Sequence, residues 1–172
     1  MLPHHAPRCV PPVSVTLRDV RQTDLPSLFA FESDPAWCAM AMVKPRSKEV
    51  FDAVWEKILT DRTEGTTPPG VLQQAIIADG ELCGTIGCHL RDGRCNVGYG
   101  LHQKHWGRGI ASRALPLLLA EVALRPLYAT ASVSNAASIR VLMKCGFVIA
   151  GARTTPETDR CMAREEVSMV LA

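Results

Sequence analysis

Alternating and continuous runs of apolar residues predict the strands of this chain. The segment from Val13 to Val20 alternates between apolar and polar side chains, which is typical of a half-buried strand. Two turn pairs, Asp79-Gly80 and Asp92-Gly93, divide the segment from Val71 to Leu101 into three strands. Further strands are predicted at about 127–133, 147–152 and 165–171. The pattern therefore predicts a sheet of six to seven strands.

Apolar residues at helical spacing, preceded by capping side chains, predict about four helices. They are expected at about 24–33, 48–59, 108–124 and 136–145. Asn135 caps the last one, whose apolar face is expected to hold Ile139, Leu142 and Met143. The order of elements indicates an α+β (mixed α/β) fold with a mostly antiparallel sheet.

The chain is expected to form one domain from residue 13 to residue 172. Its 172 residues, 47% of them apolar, suffice for a core without disulfides or metal. Residues 1–12 carry four prolines and are expected to form a flexible N-terminal arm.

The stretch from His102 to Ser112 lies where a predicted strand ends and a predicted helix begins. Gly107 and Gly109 at this junction allow a ligand to approach the bare backbone. The first N–H groups of a helix have no partners within it, and the helix dipole adds about half a positive charge there. This arrangement predicts a phosphate-binding loop.

The charges of the chain are unevenly distributed. Between Gly93 and Pro156 the only carboxylate is Glu121, although the net charge of the whole chain is only +2. Eight basic residues lie in the same segment: Arg94, Lys104, Arg108, Arg113, Arg125, Arg140, Lys144 and Arg153. A segment this cationic is expected to face a compact polyanion.

Three ligand classes fit a glycine-rich loop at a helix start. A nucleoside triphosphate loop would need Gly-Lys-Ser/Thr, which does not follow Gly109. A dinucleotide site expects an acidic residue about 20 positions further on, and the segment from Leu127 to Ser132 has none. Coenzyme A, with a diphosphate and a further phosphate, suits both the loop and its basic surroundings.

Two segments resemble the GNAT family of N-acetyltransferases. The stretch from Lys104 to Ala111 resembles the Q/R-x-x-G-x-G/A acyl-CoA motif, with Lys104 standing where Gln or Arg is usual. The stretch from Asn135 to Phe147 is similar to the family's N-x-x-S segment that ends in Gly-Phe. The residues of these two segments are most similar to those of the RimJ/RimL-like branch, which acetylates the N-termini of ribosomal proteins. The resemblance covers about Val15 to Leu171.

The resemblance implies a GNAT-like fold whose sheet is splayed between strands 4 and 5. The pantetheine arm of coenzyme A would enter that gap, with acetyl-CoA as the co-substrate and no metal. It implies transfer of the acetyl group to a primary amine by direct attack in a ternary complex. The expected cofactor-binding residues are Leu101, Lys104, His105, Trp106, Gly107, Arg108, Gly109, Ile110, Ala111, Ser112, Asn135 and Ser138.

The general base is less evident than the cofactor site. Many relatives carry a glutamate on the fourth strand where this chain has Asn96, which cannot accept a proton at neutral pH. Glu32 and His89 are therefore the candidate bases. By resemblance, Ser138 is the candidate donor to the leaving thiolate. A strand N–H near Leu101 is the candidate oxyanion donor.

Three functions remain open from the sequence. The favoured one is an acetyl-CoA-dependent N-acetyltransferase, with a protein N-terminus as leading acceptor and a small amine as the rival. The others are a non-catalytic acyl-CoA-binding or sensing domain and a dinucleotide oxidoreductase. Seven cysteines in no paired framework suggest a cytoplasmic protein, and neither nucleic acid nor a membrane is an expected partner. The oligomeric state stays open, with a homodimer as one alternative.

Overall fold

Seven strands form one sheet in this computed structural model, which describes residues 13–172. The predicted arm of residues 1–12 lies outside the described residues. The strands are β1 Val15–Asp19, β2 Leu72–Ala78, β3 Glu81–Arg91, β4 Arg94–Leu101, β5 Leu127–Ser132, β6 Val148–Thr155 and β7 Arg164–Leu171. Their order is β1-β2-β3-β4-β5-β7-β6, and every neighbouring pair is antiparallel except β4 and β5. The predicted mostly antiparallel α+β fold is confirmed.

Five α-helices accompany the sheet, one more than the pattern predicts. They are α1 Leu25–Glu32, α2 Pro35–Ala41, α3 Lys48–Glu64, α4 Ile110–Glu121 and α5 Ala136–Lys144. The additional helix is α2, where Asp34 accepts a hydrogen bond from the Trp37 amide at 2.9 Å and Pro35 holds the first position. An Asp cap followed by proline is a helix-start signal that the apolar pattern alone misses. None of the helices within residues 13–172 has the length and apolar character needed to cross a bilayer.

The helices pack on the two faces of the sheet in different ways. On one face, α4 and α5 cover a core that runs across most of the sheet and includes Ile86, Leu118, Leu127 and Met169. On the other face, α1 and α3 form a smaller core whose sheet residues, such as Ala75, belong to β2 and β3. The helices of this second core therefore leave β4, β5 and β7 available for a site.

The central feature of the sheet is an opening between β4 and β5. These parallel strands are paired at one position only, Asn96 opposite Tyr128, whereas every residue of β4 is paired with β3. Beyond that single bridge the two strands diverge. The predicted splay between the fourth and fifth strands is confirmed.

Helix α5 is fixed at both ends by the residues that the sequence suggests. Asn135 Oδ1 accepts a hydrogen bond from the Ser138 amide at 3.1 Å, and Gly146, with φ of +92°, ends the last turn. Phe147 packs into the core with only 2% exposure. The expected apolar face is wrong in one residue, because Met143 is 55% exposed.

Replacing Gly84 tests how tightly β3 supports β4. A Cβ at Gly84 would lie 2.0 Å from the Gly100 carbonyl oxygen and 2.9 Å from Leu101 Cα, so the β4 backbone would have to move. We expect Gly84→Ala to lower the free energy of unfolding by about 2 kcal/mol. The matched control is Gly151→Ala on β6, where an added Cβ meets no atom within 4 Å. Equal midpoints for both variants in thermal or urea unfolding would contradict this close contact.

Candidate active site

The open edge of β4 presents unpaired backbone groups to the gap. The His102 amide donates to the Cys83 carbonyl at 2.8 Å, and Leu101 lies opposite Gly84. Because hydrogen-bonded and non-hydrogen-bonded pairs alternate along antiparallel strands, the N–H and C=O of Leu101 point away from β3. The Leu101 carbonyl indeed accepts a hydrogen bond from Trp106 Nε1 at 2.8 Å. The amide N–H groups of Leu101 and, two residues earlier, Tyr99 therefore face the gap.

The loop before α4 leaves its main chain accessible, as a phosphate-binding loop requires. Gly107 and Gly109 both have φ of +72°, and a Cβ at either would meet no atom within 4 Å. Gly109 is the N-cap of α4, so no side chain caps the first amides of the helix, at Ile110 and Ala111. Free amides at the positive end of a 12-residue helix favour an anion at this position.

A cavity of about 370 Å³ connects this loop with the gap. Ten of the predicted cofactor-binding residues line it: Leu101, His105, Trp106, Gly107, Gly109, Ile110, Ala111, Ser112, Asn135 and Ser138. The remaining lining comes from Trp37, Met40, Ala41, Tyr99, Gly100, Ala137, Arg140, Val141 and Lys144. The loop, the open strand edge and α5 thus enclose one continuous space.

The two basic side chains of the loop turn away from this cavity. Lys104 forms an ion pair with Glu81, and Arg108 Nη2 lies 3.3 Å from Asp79 Oδ2, so both contact the turn between β2 and β3. Neither side chain lines this cavity or the smaller one that adjoins it. These two predicted cofactor residues therefore hold the loop in place through the turn, and the main chain faces the cavity.

His105 is the buried residue of the same loop. It is 2% exposed, and Arg108 Nη1 lies 3.2 Å from its Nδ1. Burial lowers the pKa of His105, while the nearby carboxylate of Glu81 acts in the opposite direction. The ring is therefore a neutral packing element below the loop before α4 at pH 7.

A second cavity of about 140 Å³ adjoins the first at the gap. The two share Met40, Ala41, Tyr99, Asn135 and Ser138. The smaller one is further lined by Val97, Gly98, Ala129, Thr130, Ala131, Ser132, Leu142 and Arg164. Because the shared residues border both spaces, the two cavities lie next to each other at the gap.

Ser138 and Tyr99 form a hydroxyl pair at this meeting point. Their oxygens lie 2.9 Å apart, and Tyr99 Oη also donates to the Ser138 carbonyl at 3.2 Å. Burial raises the pKa of Tyr99 to about 12, so the phenol stays protonated at neutral pH. The phenol has one proton, which it can donate either to the Ser138 carbonyl or to Ser138 Oγ. When Ser138 Oγ receives it, the serine proton is free for another acceptor.

The two candidate bases occupy different environments. Glu32 is 8% exposed, and its Oε2 accepts from Arg46 Nη1 at 2.8 Å and lies 3.7 Å from Arg160 Nη2. It lines neither cavity. Its carboxylate thus joins the end of α1 to two arginines and is not brought to the gap.

His89 also lines neither cavity, but it lies beside Gly98, which borders the smaller one. It is exposed on β3 directly opposite Asn96, and its Cε1 lies 3.8 Å from the place that a Cβ on Gly98 would take. The pKa of His89 is below its ordinary value, because neighbouring atoms desolvate the ring and Arg91 adds a like charge. The imidazole is therefore neutral at pH 7 and able to accept a proton.

Two residues of the cationic segment line the site although they were not among the predicted cofactor-binding residues. Arg140 and Lys144 lie one turn apart on α5, are exposed, and border the larger cavity. Neither forms an ion pair with another residue in the range 13–172. Their spacing on the polar side of a helix next to Asn135 was the available signal. The parts of the cavity wall formed by α2 and by Arg164 gave no such signal in the sequence, because their positions depend on packing between distant segments.

No metal centre accompanies these groups in the described part of the chain. Within residues 13–172, no three His, Cys, Asp or Glu side chains are arranged to hold a metal ion. The groups at the gap are hydroxyls, an imidazole and backbone amides, which suit proton transfer and hydrogen bonding.

The chain belongs to the GNAT acetyltransferase family, since the acetyltransferase (GNAT) domain matches residues 14–148. No curated protein matches the sequence. Family membership makes the chain an acetyl-CoA-dependent N-acetyltransferase, and it favours this hypothesis over the dinucleotide oxidoreductase.

Solved structures with the same fold include enzymes that act on different amines. Spermidine N-acetyltransferase from Vibrio cholerae, in complex with CoA and spermine, is 17% identical, with a TM-score of 0.71 over 91% of this chain and 94% of that one. RimL, a ribosomal L7/L12 α-N-protein acetyltransferase, is 19% identical, with a TM-score of 0.75 over 92% and 90%. Mycobacterium smegmatis RimJ, in complex with CoA-disulfide, is 21% identical, with a TM-score of 0.70 over 91% and 81%. At sequence identities of 17% to 21%, the structural similarity establishes a shared fold and nothing further.

Replacing Gly109 tests whether the open loop binds the donor. A leucine there would project into the space next to the bare amides, so we expect Gly109→Leu to weaken CoA binding at least tenfold in calorimetry. Gly65→Leu at the end of α3 is the matched control, since Gly65 has nearly the same φ, +68°, and equally open surroundings. Both variants carry similar backbone strain. Equal CoA affinity for Gly109→Leu and Gly65→Leu would contradict this role of the loop.

Proposed function

We propose that the larger cavity binds acetyl-CoA with its diphosphate on the main-chain amides from Gly107 to Ser112. The open backbone of this loop at the start of α4 is the observation that carries the proposal. Arg140 and Lys144 extend the same binding surface along α5 and supply charge for the further phosphate. Lys104 and Arg108 contribute by fixing the loop to the turn between β2 and β3.

The open edge of β4 receives the pantetheine arm in this proposal. The amides of Leu101 and Tyr99 face the gap and lie two residues apart, the spacing at which an extended chain offers successive hydrogen-bonding groups. Either amide can donate to the thioester carbonyl and stabilise the oxyanion as it forms. Tyr99 lies deeper in the gap and also borders the smaller cavity, next to Ser138.

His89 is the proposed general base. It lies directly across the strand pair from Asn96, where residues on one face have Cβ atoms about 5 Å apart. The base is thus shifted by one strand from the position that relatives use. The amine nitrogen attacks the thioester carbon, the C–S bond breaks, and the proton released from nitrogen passes to His89 directly or through water.

Ser138 is the proposed hydrogen-bond donor to the departing thiolate. In this proposal the single phenol proton of Tyr99 is donated to Ser138 Oγ, which directs the serine O–H towards the gap. Glu32 stays an alternative base from the sequence, but its two arginine partners favour a structural role. The acceptor is a primary amine, with a protein N-terminus favoured by the resemblance to the RimJ/RimL-like branch. Cytoplasmic location and a homodimer remain predictions.

Release of free thiol from acetyl-CoA tests this function. We expect turnover with a panel of primary amines that contains N-terminal peptides, amino-acid amides and spermidine, confirmed by mass spectrometry of the acetylated product. Tight acetyl-CoA binding without turnover across the panel would support the acyl-CoA sensing domain instead. Absence of binding would contradict both.

Moving the general base from β3 to the opposite position on β4 tests the role of His89. We expect His89→Ala to lower kcat at least tenfold and to remove the acidic limb of the pH profile. In the wild type this limb lies below pH 6.5, because the pKa of His89 is depressed and activity is lost as pH falls through it. The double variant His89→Ala/Asn96→Glu restores a carboxylate on the opposite strand and should recover activity. An unchanged profile in His89→Ala would assign the base elsewhere.

A further inference from the structure

The smaller cavity contains an arginine that the acetyl-transfer reaction itself does not require. Arg164, on β7, lines this cavity with only 11% of its side chain exposed. Its Nε donates to Glu166 Oε2 at 3.0 Å, and its Nη1 donates to the Met42 carbonyl at 3.1 Å. These bonds hold the guanidinium rigidly at the wall. They use two of its five N–H donors, which leaves donors for a ligand.

The carboxylate behind Arg164 is not available to a ligand. Glu166 is fully buried and accepts from both Arg153 and Arg164. Burial alone would raise the pKa of Glu166, but the hydrogen bonds from Arg153 and Arg164 and the nearby Thr155 hold it below its ordinary value. The acid therefore stays ionised, and it orients Arg164 without projecting into the cavity.

The charges that line the two cavities have one sign. Arg140 and Lys144 border the larger cavity and Arg164 the smaller one, whereas no Asp or Glu of residues 13–172 lines either. The nearest acid from α1, Glu32, is already paired with Arg46 and Arg160. A polyamine, which carries several positive charges, would find no carboxylate partner in either cavity.

The size of the cavity restricts the acceptor further. A volume of about 140 Å³ corresponds to the space of roughly five water molecules. This admits an amine, its carbon and a small substituent at the gap, while anything longer must extend outwards. Thr130 and Ser132 add hydroxyl groups to the wall next to Arg164.

We propose that the smaller cavity is the acceptor subsite, and that Arg164 selects amines whose amine-bearing carbon is attached to a carbonyl or carboxylate group. This inference rests on the proposed acetyl transfer and narrows its acceptor. The oxygen accepts a charge-assisted hydrogen bond from Arg164, which holds the amine against the thioester carbon beside Tyr99 and Ser138. The same chemistry is present in a peptide N-terminus and in a free α-amino acid.

Steady-state kinetics with three matched acceptors test the role of Arg164. L-alaninamide carries the carbonyl of a peptide, L-alanine carries a carboxylate, and isopropylamine has the same carbon skeleton without the oxygen. We expect Arg164→Gln to lower kcat/KM for the preferred oxygen-bearing acceptor about tenfold or more and to leave isopropylamine unchanged. Each acceptor is compared with itself across variants, so differences in amine pKa cancel. A higher kcat/KM for alaninamide than for alanine indicates that Arg164 binds a peptide carbonyl, and the reverse order indicates a free carboxylate.

Arg153→Gln is the matched control, because Arg153 bonds the same carboxylate but lines neither cavity. It should preserve acceptor preference even where it lowers the unfolding midpoint. Arg164→Lys keeps a charged donor and should retain part of the preference if Arg164→Gln folds poorly. The inference would be overturned if Arg164→Gln lowered kcat/KM equally for all three acceptors, or if Arg153→Gln showed the same selective loss of kcat/KM. A preference of the wild type for spermidine would also overturn it. Failure of acetyl-CoA to bind at all would instead contradict the proposed function.

Discussion

The separation of β4 from β5 is the constraint on which the rest of the site depends. Neighbouring strands normally satisfy each other's backbone groups, and an unpaired group in a closed environment is costly. Here the strands share a single bridge, Asn96 with Tyr128, and beyond it β4 has an open edge inside the domain. Trp106 satisfies one exposed carbonyl, of Leu101, and the neighbouring amides stay free. Helices α2, α4 and α5 enclose this edge, so the opening becomes a binding channel.

Local signals in the sequence predicted the parts of the site that local structure determines. Asp-Gly pairs fix the two hairpins, the side chain of Asn135 fixes the start of α5, and the glycines before Ile110 fix the open loop. Side-chain direction depends on contacts between distant segments and was not predictable in the same way. Lys104 appeared to be a phosphate ligand, and only the position of the β2–β3 turn shows that Glu81 holds it.

Arginine–carboxylate pairs organise the face of the sheet around the smaller cavity. Glu32 and Glu166 are both buried, and each is held by two arginines from other segments. A buried carboxylate is tolerated only when it is paired in this way. With the acids engaged, the groups left at the gap are the hydroxyls of Ser138 and Tyr99, with the neutral imidazole of His89 close by. The register of β3 against β4 places that imidazole opposite Asn96.

The use of main-chain amides at the start of α4 has an evolutionary consequence. A backbone N–H is present whatever side chain a residue carries, so mutation cannot easily remove it from the loop. Positions 104 and 108 are then free to vary as long as they still anchor the loop to the neighbouring turn, as their pairs with Glu81 and Asp79 do. This latitude is compatible with Lys104, where the family motif that the sequence resembles has glutamine or arginine. Descendants of one ancestral enzyme can therefore diverge widely in sequence while they keep the same donor.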